Sequence, residues 1–232
     1  MWADFPWLQF WCNRERRCIL LLHALLLAGT LAYQQCRTLP LACYFLDVGQ
    51  GLSILVQSDG QTMIYDGGDK STSSFVVSYL QKQNVTTIDY LISSHYDSDH
   101  MAGLIGCLNA FDVKNVISSD YEHDSKLYQS FIQTVADKGL PMQHPAVGTE
   151  FSFGSGSFQI LAPATIDPND SNKNSVAIKL TNGDNSFIFT GDADPSTPGR
   201  LLPRKRTTVS KSARLGKRSR RTGLWWRDSM NR

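Results

Sequence analysis

The stretch IDYLISSHYDSDHMAGL, Ile88–Leu104, decides how this chain is read. Its first part, Ile88–Ser94, is an apolar run of strand length that ends in two small hydroxyl residues. The next six positions hold His95, Asp97, Asp99 and His100. A buried strand running into such a cluster is where α/β folds present chemistry, at the C-terminal edge of the sheet. A sharp bend after the strand would let all four side chains converge. Imidazole suits Zn²⁺, Mn²⁺ or Fe²⁺, and carboxylate hardens a site towards Mn²⁺. Two imidazoles and two carboxylates can serve two ions about 3.5–4 Å apart, which activate water and clamp the group under attack. Turn aspartates, helix caps and surface histidines are common, but this spacing directly after an apolar strand favours metal.

Working outward, CYFLDVGQGLSILVQSDGQTMIYDGG predicts three short strands, Cys43–Asp47, Ser53–Gln57 and Thr62–Tyr65, joined by glycine-containing turns. SSFVVSYLQKQN has helical spacing at Phe75, Val76, Tyr79 and Leu80. MAGLIGCLNAF begins a second helix, KNVISS is a further strand, and SKLYQSFIQTVADKG is an amphipathic helix. That last helix sets Leu127, Phe131 and Val135 on one face and stops at Gly139. TEFSFGSGSFQILAP alternates about a glycine turn. SVAIKLTNGDNSFIFTGD is a hairpin about Asn182-Gly183 whose second strand ends at Gly191-Asp192. Strands, strand–helix units and strands again make an α/β layered fold with helices against a mixed sheet.

The two ends read differently. Arg14, Arg16 and Arg17 precede CILLLHALLLAGTLAY, so residues 1–40 form a targeting or anchoring segment. The apolar run is shorter than the roughly 20 residues of a spanning helix, and a cleaved signal peptide and a retained anchor both fit it. Either one exports the rest of the chain or tethers it to the membrane, on the extracytoplasmic side. A buried core helix is the competing reading. At the other end, residues 195–232 have sparse apolar residues, dense positive charge and no strand alternation, the composition of a disordered tail. The net charge of +2 hides this asymmetry. Residues 199–232 carry twelve of the 23 basic side chains and a single acid, Asp228. The first 198 residues keep eleven basic and twenty acidic groups, a net of −9. Such a body draws in no polyanion without metal ions or the basic tail. Five scattered cysteines with no CxxC pair make neither a zinc ribbon nor a dense disulfide framework, although one bridge from Cys36 stays open.

Four segments, FLDVGQG (Phe45–Gly51), IYDGG (Ile64–Gly68), SHYDSDH (Ser94–His100) and NSVAIKL with FIFTGDA (Asn174–Leu180 and Phe187–Ala193), occur in order across residues 43–194. In these the chain resembles the metallo-β-lactamase-fold hydrolases, and within them the C-terminal hydrolase domain of ComEC-type competence proteins. The resemblance implies a metallo-β-lactamase-like αββα sandwich over residues 41–194 with two divalent metal ions, Zn or Mn, at the sheet edges. It assigns His95 and Asp97 to one ion, Asp99 and His100 to the other, and Asp192 to the bridge between them. Asp97 stands where most of the superfamily has histidine and this branch has aspartate. Asp99 and Asp66 take the catalytic roles, Asp66 by orienting the histidine loop, and Asn174 is a weak substrate-side candidate. His123 and His144 read as surface histidines.

The chain departs from the family in three places. Leu52 replaces an aspartate after GQG, and Ala102 replaces a glycine after the histidine cluster. Beyond Asp192 there is no histidine, so the family's last ligands are missing and the sandwich reads as incomplete at its C-terminus. Loss of the coding frame near Asp194 would explain the change in composition. A genuine tail that binds nucleic acid or anionic lipid through its arginines, Trp225 and Trp226 is the rival. The resemblance implies metal-dependent hydrolysis, with phosphodiester bonds of DNA as the first substrate to try, and retention of two ions and of one both stay open. Lactams, thioesters and other esters fit the same fold. A truncated, inactive relic and a nucleic-acid binder acting through the tail are the alternatives.

Overall fold

The computed structural model describes residues 19–30, 41–193, 196, 197 and 199. The arginines before the apolar run and all of the tail except residues 196, 197 and 199 lie outside the described residues. Residues 19–30 are helical, and among the described residues no helix is long and apolar enough to cross a membrane.

Two sheets pack face to face. The first has six strands in the order β1 (Ala42–Phe45), β2 (Ser53–Ser58), β3 (Gln61–Gly67), β4 (Thr87–Ile92), β5 (Asp112–Ile117) and β6 (Met142–Gln143). Strands β1 to β3 are antiparallel, whereas β3 to β6 run parallel. The parallel strands are joined by α1 (Ser73–Lys82), α2 (Ser98–Ala110) and α3 (Lys126–Asp137). The second sheet is antiparallel, with β10 (Asn185–Phe189), β9 (Ala177–Asn182), β8 (Gly156–Ala162) and β7 (Glu150–Phe153) in that order.

Strand alternation explains the layering. Leu55, Ile64, Leu91 and Val116 face the helices, where they meet Val76, Leu80, Met101, Leu104, Phe131 and Val135. Their neighbours Ile54, Val56, Met63, Tyr65, Ile92 and Ile117 face the second sheet and meet Phe153, Phe158, Ile160, Ile178 and Leu180. A sheet covered on both faces must be apolar at successive positions, which is why these strands read as runs rather than as alternation. The amphipathic helix sits where its pattern placed it: Phe131 and Val135 are buried, and the Ser125 hydroxyl caps its start by accepting from Tyr128 N at 3.1 Å.

Two of the sequence departures sit within the packed body. The Leu52 side chain packs against the inter-sheet core, and its N–H donates to the Asp99 carbonyl at 3.3 Å. Ala102 is buried with its Cβ accommodated. The close approach here belongs to Gly103, where any Cβ would overlap the Gly67 carbonyl. Past β10 the chain stays against the body at two described points: Thr197 is buried, and Gly199 lies beside Leu161 and Ala162.

Phe158 makes edge contact with Tyr90 and stacks on Phe151 in the inter-sheet core. Phe158→Ala should lower unfolding free energy by about 3–5 kcal/mol. Lys179→Ala, on the same sheet but exposed, should change it by less than about 0.5 kcal/mol, both read by urea denaturation.

Candidate metal centre

The parallel strands β3, β4 and β5 end at one edge of the first sheet, and the start of β9 and end of β10 reach the same edge of the second. Asp66 sits at the end of β3, fully buried, in the left-handed region at φ +56°. A non-glycine residue held there stores strain of the kind found at functional sites. Its carboxylate accepts from Ser94 N at 2.7 Å, from Ser94 Oγ at 2.7 Å and from His100 Nδ1 at 2.9 Å.

These bonds settle where the protons are. The Ser94 hydroxyl has one proton, and it goes to Asp66. Towards His95 Nδ1, 2.9 Å away, Ser94 Oγ therefore acts as acceptor, and Nδ1 carries the hydrogen. His95 Nε2 is left as a bare lone pair on a fully buried ring, with no hydrogen-bond partner. By the same logic His100 donates from Nδ1 to Asp66 and turns Nε2 outward, 3.4 Å from Asp192 Oδ1. The two imidazole rings lie 4.3 Å apart, centroid to centroid. His95, His100 and Asp192 each present one ligand atom, and these atoms all lie within 4.8 Å of one another.

Two carboxylates line the open side. The Asp192 side chain is 46% exposed and that of Asp97 is 39% exposed. Asp97 Oδ2 stands 3.5 Å from His95 Nε2, while Oδ1 accepts from Ser171 Oγ at 2.9 Å. When the His95 ring is protonated, its hydrogen bond outweighs burial and holds the Asp97 carboxyl down at about 2. Asp192 is likewise lowered, by its hydrogen bond to His100 and again against burial. For His100, burial pushes down, but the charge of Asp66 and the bonds to Asp192 and Asp66 outweigh it and raise the imidazolium to about 10.

The structure brings some of the sequence-predicted site residues together and not others. His95, His100 and Asp192 converge, Asp66 supports them from behind, and Asp97 adjoins through His95. Asp99 does not join this group. Helix α2 begins at Ser98, three residues before the expected start, and Asp99 lies half-buried in its first turn. Asn174 is buried and clamps a loop, accepting from Asp167 N at 2.7 Å and donating to Asp167 O at 2.8 Å. Both functions of its amide are thereby committed to backbone. His144 is exposed and bonded to Ser118 O at 3.0 Å, and His123 accepts from Ser125 N at 3.2 Å. Ser94, Ser171 and Tyr121 were missed. Ser94 lies inside the quoted motif, but a serine between a strand and a histidine has no distinctive pattern.

A protein-family model for the metallo-beta-lactamase superfamily matches residues 46–216. The chain belongs to this superfamily. Among curated relatives, Recombination protein 2 of Haemophilus influenzae is 29% identical over 64% of this chain and 18% of its own length. ComE operon protein 3 of Bacillus subtilis is 26% identical over 64% of this chain and 22% of its own. Competence protein ComA of Neisseria gonorrhoeae is 26% identical over 73% of this chain and 23% of its own. The chain thus spans about a fifth of the length of these relatives. A solved metallo-β-lactamase from Cronobacter sakazakii with a HARLDQ motif aligns at a TM-score of 0.49 and 15% identity, covering 69% of this chain and 66% of that one.

The metallo-β-lactamase fold implies divalent metal binding, and the residues present fit an ion. A buried, bare imidazole nitrogen is costly unless something electrophilic meets it. Here a second imidazole nitrogen and a carboxylate close on the same point. A cavity of about 550 Å³ at the other end of β4, near Thr62, Asn84 and Lys114, has no such property. Its buried carboxylate, Asp89, already accepts from Thr62 N and Lys114 Nζ, each at 2.8 Å.

In protein stripped of divalent ions, the raised His100 contributes stability that is complete below its ordinary value of 6.5 and is lost as pH climbs through about 10. Asp97 and Asp192, both lowered, do not titrate in that window. The urea midpoint of chelator-treated protein should therefore fall between pH 6 and pH 10, and His100→Gln should flatten the fall. A midpoint equally pH-dependent in both proteins would contradict this assignment.

Proposed function

We propose that this chain is a metal-dependent hydrolase of phosphodiester bonds, acting on the extracytoplasmic side of a membrane, with DNA as the first substrate to test. The observation that carries the reading is the bare Nε2 of buried His95, aimed where His100 Nε2 and Asp192 also converge. A bound divalent ion would supply Lewis acidity, bringing the pKa of a water near neutrality and stabilising charge developing on a phosphoryl oxygen. The chain's own residues do the rest. Asp66 and Ser94 lock both rings in the tautomer that turns Nε2 outward. Ser171 holds one oxygen of Asp97, so that the other faces His95. Asp192 and Asp97, half-exposed, form the side from which a substrate enters.

The compact group made by His95, His100 and Asp192 is a ligand set for one ion, and Asp97 extends it. A phosphodiester agrees with the names of the relatives, a recombination protein and a competence protein. The acidic body agrees too, because an anionic substrate needs cations in the site before it can approach. The basic segment 199–232 gives a nucleic acid a second point of attraction, and the apolar N-terminal segment is the part suited to a membrane.

Full-length protein reloaded with Zn²⁺ or Mn²⁺ should retain about one tightly held equivalent per chain and hydrolyse a generic phosphodiester such as bis(p-nitrophenyl) phosphate. Asp192→Ala should cut that hydrolysis by about 100-fold. An absence of bound ion, or hydrolysis indifferent to Asp192→Ala, would refute the reading.

A further inference from the structure

Asp97 is the N-cap residue of α2, with extended backbone at φ −69° and ψ 147°. Aspartate is among the best N-caps, because its carboxylate accepts from an unpaired N–H of the first turn. Here the carboxylate makes no capping bond. Ser171 is the N-cap of the single turn Asn172–Asn174, and its hydroxyl makes no capping bond either. The two side chains, 74 positions apart in sequence, bond each other instead, Ser171 Oγ to Asp97 Oδ1 at 2.9 Å.

The carboxylate can only accept, so the serine donates, and a third residue stands behind it. The Tyr96 N–H donates to Tyr121 Oη at 3.1 Å, and a backbone amide can only donate. Tyr121 Oη lies 2.8 Å from Ser171 Oγ. With the Asp97 carboxylate taking the serine proton, the serine oxygen accepts from the tyrosine. The protons therefore run one way, from Tyr96 N–H to Tyr121, to Ser171, to Asp97. Tyr121 is itself held by ring contacts, its centroid 4.7 Å from that of Tyr96.

We infer that Ser171, backed by Tyr121, is a positioning residue that withdraws Asp97 from its helix cap and presents a single oxygen, Oδ2, to the ion beside His95. This deepens the proposed function and rests on it. The arrangement exchanges local helix stability for ion affinity. With Ser171 gone, Asp97 is free to return to the cap, so the helix gains a bond as the ion loses a ligand. A residue that merely supported the fold would show no such opposition.

The test measures Zn²⁺ affinity of the full chain, by competition with a chromophoric chelator, beside the melting temperature of the stripped protein. Ser171→Ala should weaken Zn²⁺ binding about 10–100-fold. Its stripped form should melt no lower than wild type, and as much as about 2–4 °C higher. Ser171→Thr, which keeps the hydroxyl, should restore wild-type affinity, and Tyr121→Phe should fall between. If wild type itself binds no Zn²⁺, the proposed function and this inference both fail. If wild type binds and Ser171→Ala binds equally well, the positioning role alone is overturned. Weaker binding together with a lower melting temperature of the stripped variant would also overturn it, by making Ser171 a fold support.

Discussion

The centre depends on one buried carboxylate. Asp66 accepts three hydrogen bonds, two from Ser94 and one from His100, and through Ser94 it also governs His95. Burying an ionised carboxylate is costly, and it is tolerable only where its oxygens are met by donors in good geometry. The donors here come from the turn after β4 and from the first helical turn beyond it. Satisfying Asp66 thus draws the ligand loop into place before any ion is involved. The left-handed backbone at Asp66, φ +56°, is the conformational cost of turning the carboxylate from the end of β3 towards that loop. Geometry of this kind, assembled by the protein itself, brings two imidazole Nε2 atoms close together at a buried place and leaves that of His95 without a partner.

The second sheet is tied to the same loop. Val176 N donates to Ser94 O at 2.7 Å, and Tyr65 Oη donates to Val176 O at 2.7 Å. The chain just before β9 is thereby stitched to β3 and to the residue that bridges Asp66 and His95. Gly191, at φ +52°, lies directly over Ser94, where any Cβ would overlap the serine side chain. That close contact lets the turn after β10 deliver Asp192 beside His100. The carboxylate of one sheet meets the imidazoles of the other because a glycine precedes it.

The layered fold was legible because burial on both faces leaves continuous apolar runs, and Leu55, Ile64, Leu91 and Val116 with their alternating neighbours are such runs. His95, His100, Asp66 and Asp192 were legible because each stands at a strand end or in a dense motif. Asp99 shows where pattern reading stops. Spacing says that four ligand-type residues are close in sequence but not which of them face one point, and of the four it is His95 and His100 that meet Asp192 in a compact group. Ser171 and Tyr121 were illegible for another reason. Their role arises from contacts spanning 50 and 74 positions, and serine and tyrosine in loops are too common to stand out. Local pattern carries ligands well and the residues that aim them poorly.

The burial gradient across the centre bears on what it can accept. The imidazoles form a dry floor, at 0% and 3% side-chain exposure, while Asp97 and Asp192 at 39% and 46% form a wet and negative rim. The rim sits on a body of net charge −9. For a neutral ester such a rim is no obstacle, whereas a phosphodiester meets like charge at the entrance. A divalent ion reverses that sign locally, and the lowered carboxyls of Asp97 and Asp192 are kept ionised to hold it. Discrimination between anionic and neutral substrates would then follow from ion occupancy itself, since the same two carboxylates repel an anion when bare and recruit it through the cation they bind.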